Sequence, residues 1–166
     1  LKAHNCVTGS RDLMKFCDAN DIQYELCGKV IVATNERELD SLQPLHQRGT
    51  ANGVEGLRMI DLAELKEIEP NVSGLKGLYS PNTGIVDYVE VTKAYGLNFQ
   101  GNGGDIATNS EVTAIKQSEG KFYLQTNQGE ITSTYIINCA GLYSDIVAAM
   151  LGVIDETRII PFRGEY

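Results

Sequence analysis

One stretch of the sequence combines residue types that could hold a phosphate-bearing ligand. Cys139, Ala140 and Gly141 follow the apolar, β-branched run 135–137, and a helical pattern begins directly after them. Three small residues at the end of a strand let a backbone approach a ligand closely, and the N–H groups that start the next helix could face a phosphate. The same pattern also arises where a strand and a helix simply pack tightly, so both interpretations stay open.

Three side chains elsewhere could contact a substrate. Arg163 carries the planar guanidinium that grips a carboxylate with two hydrogen bonds, although Glu165 could pair with it instead. Lys29 lies on a predicted strand and could hold a second carboxylate or simply face solvent. Tyr88 could line a cleft, although the helix-capping role expected for the preceding Asp87 explains part of that motif.

Composition argues against several other kinds of function. The chain has 14 basic and 22 acidic residues, a net charge of −8, which disfavours nucleic-acid binding. Its cysteines and histidines lack metal-ligand spacing, so no metal site is predicted. Cys17 is expected on a helix face and Cys139 in a buried position. No nucleophile with a partner base is visible, and the catalytic residues stay unassigned. No apolar run is long enough to cross a membrane and no signal peptide is visible.

The elements that must position these residues follow from periodicity and end signals. Helices are expected behind three capping residues, Asn35, Asp61 and Asp87, and over about 1–19. A short helix is expected after residue 143, with Ile146, Ala149 and Met150 spaced for one apolar face. Strands are expected near 23–26, 28–34, 57–60, 75–79, 105–108, 111–117, 121–126 and 130–138. The fold class is therefore α+β (mixed α/β), with the last three strands in a meander.

Several stretches resemble, in order, the FAD-dependent oxidoreductases of the D-amino-acid oxidase type. They are the meander, the run Ile-Asn-Cys-Ala-Gly-Leu-Tyr-Ser-Asp at 137–145, and the run Ile-Ile-Pro-Phe-Arg-Gly-Glu-Tyr at 159–166. Within that family, residues 27–34 and 80–88 are most similar to the enzymes that oxidise L-2-hydroxyglutarate. The resemblance implies FAD as cofactor, a small dicarboxylate as substrate, and hydride transfer to the flavin.

The resemblance also implies roles for particular residues. The backbone of Val112 would meet the adenine of FAD, and Cys139, Ala140 and Gly141 would pass close to its pyrophosphate and ribose. Arg163 would lie at the substrate or the flavin edge, with Lys29 and Tyr88 as further substrate contacts. An ordinary strand residue at Val112 and surface positions for the two cations are the alternatives.

The implied domain organisation is interleaved. Residues 1–25 would link to the FAD domain, 26–86 would form part of an antiparallel-sheet substrate domain, 87–145 would form part of the FAD domain, and 146–166 would return to the substrate domain. The sequence contains no Gly-x-Gly-x-x-Gly unit after a predicted strand. The nearest match, Gly101-Asn102-Gly103-Gly104, follows a predicted helix instead. The chain is therefore expected to be an internal segment of a longer enzyme.

Two other functions remain open from the sequence. One is an amine-oxidising relative of the glycine or sarcosine oxidase type, and the other is a non-catalytic binding module. The electron acceptor is left open between oxygen and a quinone, so the expected location is the cytoplasm or the periphery of a membrane. The chain alone is expected to hold no FAD tightly and to self-associate through apolar faces.

Overall fold

The structure, a computed structural model, describes residues 1–153 and 158–163, and the chain divides into two compact units, Leu1–Gly104 and Asp105–Tyr166. The expected α+β class is confirmed, since both units combine helices with antiparallel strands. In the described part of the chain, no helix is both long and apolar enough to span a bilayer.

The first unit contains helices and short antiparallel sheets. The elements in chain order are α1 (Lys2–Ala19), β1 (Tyr24–Glu25), β2 (Lys29–Ala33), α2 (Glu36–Ala51), β3 (Arg58–Ile60), α3 (Leu62–Ile68), β4 (Lys76–Ser80), β5 (Ile85–Val86) and α4 (Tyr88–Gly101). Strand β4 lies between β2 and β3 and pairs antiparallel with both, and β1 pairs antiparallel with β5.

The three predicted N-caps are confirmed. The side chains of Asn35, Asp61 and Asp87 each accept from a backbone N–H in the first turn of α2, α3 and α4. One detail differs: the Glu38 carboxylate accepts from the Thr34 N–H and hydroxyl, not from the Asn35 N–H that a capping box would use.

The first unit has two separate hydrophobic clusters. One joins α1 to α4 through Cys17 and Val91, with Ile22 between them and Phe16 stacked on Tyr95. The other packs α2 on the β2–β4–β3 sheet, and its buried members are Ala33, Leu42 and Leu78. The cluster between α1 and α4 joins residues from the predicted ranges 1–25 and 87–145. The domain boundaries themselves remain a prediction.

The second unit is built on a meander of β6 (Val112–Ser118), β7 (Lys121–Thr126) and β8 (Gly129–Ser133), in that spatial order. After it come a 3₁₀ turn, Gly141–Tyr143, and the short α5, Ser144–Ala149. Ile115 is the one fully buried hydrophobic residue in the part of this unit that the structure describes. Such a small core leaves the remaining apolar side chains of the meander partly exposed.

Three expectations for the second unit are wrong. Residues 105–108 form no strand, because their single large apolar side chain, Ile106, has no neighbouring strand to pack on and stays half exposed. Strand β8 ends at Ser133, and the run 135–137 is not a strand, with Tyr135 83% and Ile137 86% exposed. No described strand lies beside that run to pair with it.

The third follows from the same lack of a covering layer, since Cys139, expected to be buried, is exposed. The expected helix after residue 143 is α5, which contains no buried residue, and Ile146 on its apolar face is 53% exposed.

Candidate functional site

In the first unit, the two stretches that carry the resemblance, 27–34 and 80–88, lie side by side. The Gly28 N–H donates to the Thr83 carbonyl at 2.8 Å, and Lys29 is paired with Ser80 at the end of the β2–β4 ladder. Gly84 approaches strand β1 so closely that a Cβ on it would lie 2.6 Å from the Glu25 carbonyl oxygen. These contacts give the glycines of both motifs a backbone role.

The turn that joins β4 to β5 is also tied to α1. The Asn82 amide donates to the Glu55 carbonyl at 3.1 Å, and the Glu55 carboxylate pairs with Arg11 on α1 at 2.6 Å. Both side chains of that ion pair are largely exposed, so it contributes little stability by itself. Glu55 therefore links the turn to α1, with its carbonyl bonded to Asn82 and its carboxylate paired with Arg11.

Lys29 and Tyr88, the two substrate candidates of this unit, do not share one pocket. Tyr88 is 67% exposed and lines a cleft of about 390 Å³ between α1 and the β5 segment. The cleft is lined mainly by small and apolar groups, with hydroxyls from Ser10 and Thr83. Lys29 is not among its lining residues and is exposed at the start of β2.

In the second unit, Val112 lies where its backbone can bond outward. The Asn127 N–H donates to the Glu111 carbonyl at 3.2 Å, and Val112 is paired with Thr126. Hydrogen-bonded and non-hydrogen-bonded pairs alternate along an antiparallel ladder, so Val112 and Thr126 form a non-hydrogen-bonded pair. The N–H and C=O of Val112 therefore point away from β7. Since β6 is the end strand of this sheet, they point to its open edge.

A β-bulge follows at once, because the register shifts between Val112 and Ala114. Bulges bend a strand and end regular pairing, and they are frequent next to functional sites. Asn127 also accepts from the Glu111 N–H through its side chain at 3.1 Å, which fixes the start of β6. The edge position of Val112 is thus held by the two hydrogen bonds that join the preceding residue, Glu111, to Asn127.

The turn that contains Cys139, Ala140 and Gly141 is shaped by Asn138. The Asn138 amide oxygen accepts from the Ala140 N–H at 3.1 Å, and its NH₂ donates to the Ser144 carbonyl at 2.8 Å. Sequence reasoning did not single out Asn138, although an Asn two residues before a tight turn is a common turn signal.

The geometry at Gly141 distinguishes between the two explanations for the small residues at 139–141, close approach to a ligand and tight strand–helix packing. It has φ +59°, a left-handed conformation that favours glycine, and a Cβ on it would meet no described atom within 4 Å. Tight packing against the described residues therefore does not explain this glycine. Its backbone conformation does, and the open space beside it is available to a ligand.

The expected phosphate seat at the helix N-terminus is not formed here. The Ala140 and Tyr143 N–H groups already donate within the turn, and the Ile146 N–H donates to the Asp145 carboxylate at 2.9 Å. Asp145 also places a negative charge in the first turn of α5, which spans only Ser144–Ala149. A short helix with an acidic first turn is a poor anion site.

Arg163 is exposed in the extended segment 158–163, and Glu165, its suggested alternative partner, lies outside the described residues. The segment is attached to the turn region through Asp145, whose second carboxylate oxygen accepts from the Ile159 N–H at 3.3 Å. Asp145 thus contacts both α5 and the segment that carries Arg163. The sequence analysis did not identify it.

Histidine, cysteine and carboxylate side chains form no metal cluster anywhere in the described ranges. His46 lies on α2 with its Nε2 3.3 Å from the Leu57 carbonyl oxygen, and His4 is exposed on α1. Neither position identifies a catalytic base. The candidate residues fall into two sets, one in each unit: Lys29 and Tyr88 in the first, and Val112, Cys139, Ala140, Gly141 and Arg163 in the second.

The packing of α2 on an antiparallel sheet, the meander and the small-residue turn agree with the resemblance to FAD-dependent oxidoreductases. The chain belongs to that family: the model of the DAO family, FAD dependent oxidoreductase, matches residues 5–166.

Several named proteins are similar to this chain over its whole length. The chain is 43% identical over its whole length to L-2-hydroxyglutarate dehydrogenase, mitochondrial, of Nematostella vectensis, and 40% identical to the protein of the same name from Homo sapiens. It is 41% identical to L-2-hydroxyglutarate dehydrogenase of Escherichia coli strain K12. The chain spans about two fifths of the length of these relatives, 40%, 38% and 39% respectively.

Solved structures agree on the fold. L-proline dehydrogenase from P. horikoshii superposes on 95% of this chain and 42% of its own length, with a TM-score of 0.84 at 19% identity. L-alpha-glycerophosphate oxidase from Mycoplasma pneumoniae, solved with FAD bound, covers 79% of this chain and 36% of its own, with a TM-score of 0.71 at 33% identity. The first likeness, at so low an identity, concerns the fold alone.

Proposed function

We propose that this chain is part of a longer FAD-dependent enzyme that oxidises L-2-hydroxyglutarate to 2-oxoglutarate. The observation that carries the proposal is the identity of 40–43% along the whole chain to proteins named L-2-hydroxyglutarate dehydrogenase. The chain covers two fifths of those proteins, so activity and substrate belong to the longer protein.

Two features of the second unit support FAD as the cofactor. Val112 presents a backbone donor and acceptor at an open sheet edge, which matches the pattern of groups on the edge of an adenine. Gly141 offers open space and a conformation that brings backbone, without a side chain, to the ligand. Cys139 and Ala140 keep the adjacent positions small. These residues would hold the adenine and the pyrophosphate–ribose portion of FAD.

The charge of the proposed substrate is the reason to propose Arg163 and Lys29 as its contacts. L-2-hydroxyglutarate carries two carboxylates, and Arg163 would grip one of them with its planar fork. Lys29, as a compact charge, is the candidate for the second carboxylate, and Tyr88 is the candidate that lines the cleft of the first unit, which Lys29 does not line. When bound, FAD would supply the hydride acceptor for the substrate carbon. The base that takes the hydroxyl proton is not assigned to any residue of this chain.

The structural comparisons give no support to the amine-oxidising alternative. The likeness to glycine oxidase from Geobacillus kaustophilus, 22% identical with a TM-score of 0.73, is one of fold. The relative at 33% identity is named for oxidation of L-alpha-glycerophosphate, which also carries a hydroxyl group. A non-catalytic binding module is disfavoured by a family match that extends over residues 5–166.

For the electron acceptor we infer a quinone or another carrier rather than oxygen. The curated relatives at 40–43% identity are named dehydrogenases, not oxidases. A quinone acceptor would bring the longer enzyme to a membrane surface. Oxygen uptake and reduction of a soluble quinone analogue, measured side by side with the same substrate, separate the two acceptors.

The function is tested by anaerobic flavin bleaching of the longer protein. L-2-hydroxyglutarate should bleach the flavin, with 2-oxoglutarate as the product, whereas glycine, sarcosine and D-amino acids should not. The D-isomer of 2-hydroxyglutarate is the matched control for stereochemistry. Bleaching by an amine and not by the hydroxy acid would overturn the assignment.

A further inference from the structure

Asp145 makes two hydrogen bonds that lead in different directions. Its Oδ1 accepts from the Ile146 N–H at 2.9 Å, inside the first turn of α5. Its Oδ2 accepts from the Ile159 N–H at 3.3 Å, fourteen residues further along the chain. The first bond is local, whereas the second joins two segments that the sequence separates.

Each of the two joined segments carries a candidate site residue. Asp145 lies four positions after Gly141, at the end of the turn that Asn138 shapes through its bond to the Ser144 carbonyl. Ile159 lies four positions before Arg163, in an extended and exposed segment. The Asp145–Ile159 bond therefore limits how far Arg163 can move from the turn that contains Cys139, Ala140 and Gly141.

The segment that carries Arg163 belongs to no helix or strand, and its side chains are exposed, with Ile160 69% and Phe162 89% accessible. A substrate-binding guanidinium must be placed within a fraction of an ångström to grip a carboxylate in the fork geometry. A charge-assisted hydrogen bond at the base of the segment provides one such constraint.

We propose that Asp145 is a positioning residue: by accepting from the Ile159 N–H it holds the segment of Arg163 in register with the turn at Gly141. The inference rests on the function proposed above and adds a residue that acts on the substrate through Arg163. Asp145 does not itself touch substrate or cofactor. Its loss should therefore weaken recognition of the dicarboxylate and leave the cofactor bound.

Two variants remove the same hydrogen bond from opposite ends. Asp145→Asn keeps one oxygen that can accept from the Ile146 N–H, but its NH₂ cannot accept from Ile159. Ile159→Pro removes the donor N–H and leaves Asp145 unchanged. Asp105→Asn makes the same replacement at an exposed position of the same unit and serves as the control. Asp145→Glu keeps both acceptor oxygens on a longer side chain.

The expected result, in the longer protein, is a rise of roughly three- to tenfold in KM for L-2-hydroxyglutarate in both single variants, as for one hydrogen bond of ordinary net strength. The kcat value and the bound flavin should stay within about twofold of the parent, because the cofactor contacts are not altered. The double variant should be no worse than either single one. Asp145→Glu should recover part of the loss, and Asp105→Asn should match the parent.

Other outcomes overturn the proposal. Additive losses in the double variant would show that Asp145 and Ile159 act independently. An unchanged KM, or a loss of flavin and kcat in parallel with KM, would make Asp145 a structural residue only. If Asp145→Asn does not fold, Ile159→Pro decides alone by the same criterion. Failure of the parent protein to bleach with L-2-hydroxyglutarate is a separate result, which removes the proposed function and this inference with it.

Discussion

The side chain of Tyr79 occupies the space beside Gly28 that any larger residue would need. A Cβ on Gly28 would lie 2.7 Å from the Tyr79 hydroxyl oxygen and 2.8 Å from a ring carbon. Gly28 also has φ +76° and donates its N–H to the Thr83 carbonyl. One residue thus joins the strand of Lys29 to the turn that leads to Tyr88, and glycine is required there for two independent reasons.

Gly28→Ala should consequently lower the free energy of unfolding by roughly 2–4 kcal/mol, since it combines left-handed backbone strain with overpacking. The matched control is Gly53→Ala. Gly53 has φ +82° but meets no atom within 4 Å, so it isolates the backbone strain. Urea denaturation of the two variants measures the difference. Equal losses in both would show that Tyr79 moves aside without cost.

The hydrogen bonds that Glu38 accepts from Thr34 predict that the stability of the fold depends on pH. The Thr34 N–H donates to its carboxylate at 2.8 Å, and this bond first, with the Thr34 hydroxyl next, holds the pKa of Glu38 below its usual value. A carboxyl whose pKa is lowered by folding stabilises the fold at pH values above the unfolded pKa. That contribution is lost as the pH falls through the folded pKa.

Glu38→Gln should therefore reduce stability at neutral pH and should approach the parent protein below about pH 4, where the unfolded carboxyl takes up its proton. Glu36→Gln removes the same charge from the same helix turn and is the control. Thermal unfolding followed from pH 3 to pH 8 compares the three proteins, and parallel curves for the two variants would refute the role of Thr34.

The helix caps show which parts of the fold could be predicted. Asn35, Asp61 and Asp87 are local signals, and each cap forms within a few residues of its own position. The run 135–137 is different, because an apolar run becomes a buried strand only where other strands flank it, and none is described beside it. Local sequence determines a cap but not the neighbours of a strand.

The candidate site shows the same division. The small residues Ala140 and Gly141 were visible as a pattern, and the left-handed conformation of Gly141 agrees with that choice of residue. The outward direction of the Val112 backbone depends on its register with Thr126, which no local pattern reveals. Asp145 was missed for a related reason, since its partner Ile159 lies fourteen residues away.

Gly141→Ala should reduce the affinity of the longer protein for FAD by about tenfold or more, because a methyl group would enter the space left for the cofactor. The cost to folding should be limited to backbone strain of ~1–2 kcal/mol, since no described atom lies within 4 Å of the new Cβ. Gly152→Ala is the control, with φ +70° and equally open surroundings in the same unit. Flavin fluorescence titration reports the affinities, and equal affinities in both variants would leave Gly141 with a backbone role only.

Arg163→Ala should lower kcat/KM for L-2-hydroxyglutarate by the equivalent of a few kcal/mol, on the order of 2–4, if the ion pair with the carboxylate is desolvated. Arg163→Lys should recover only part of this, because an ammonium lacks the planar fork. Arg37→Ala removes the same side chain from an exposed position of α2 and is the control. Steady-state kinetics that are unchanged in both Arg163 variants would make Arg163 a surface residue.

The 166-residue chain alone should bind no FAD tightly and show no oxidase activity. Its N–H groups at the turn near Gly141 are largely engaged, α5 is short, and no Gly-rich turn follows a strand in this sequence. The contacts that remain, at Val112 and at Cys139, Ala140 and Gly141, reach one side of the cofactor and would not offset the entropic cost of association.

The same chain should self-associate, because large apolar side chains are exposed in its second unit. Tyr135, Ile137 and Phe162 are 83%, 86% and 89% accessible, which is unusual for a stable monomer surface. Light scattering behind size-exclusion chromatography measures the mass, and Ile137→Asp should shift it toward the monomer, with Thr134→Asp as the neighbouring control. A parent chain that stays monomeric at high micromolar concentration would contradict self-association. Stoichiometric FAD binding at micromolar concentration would contradict the other prediction for this chain, and would show that it holds more of the cofactor site than Val112 and residues 139–141 provide.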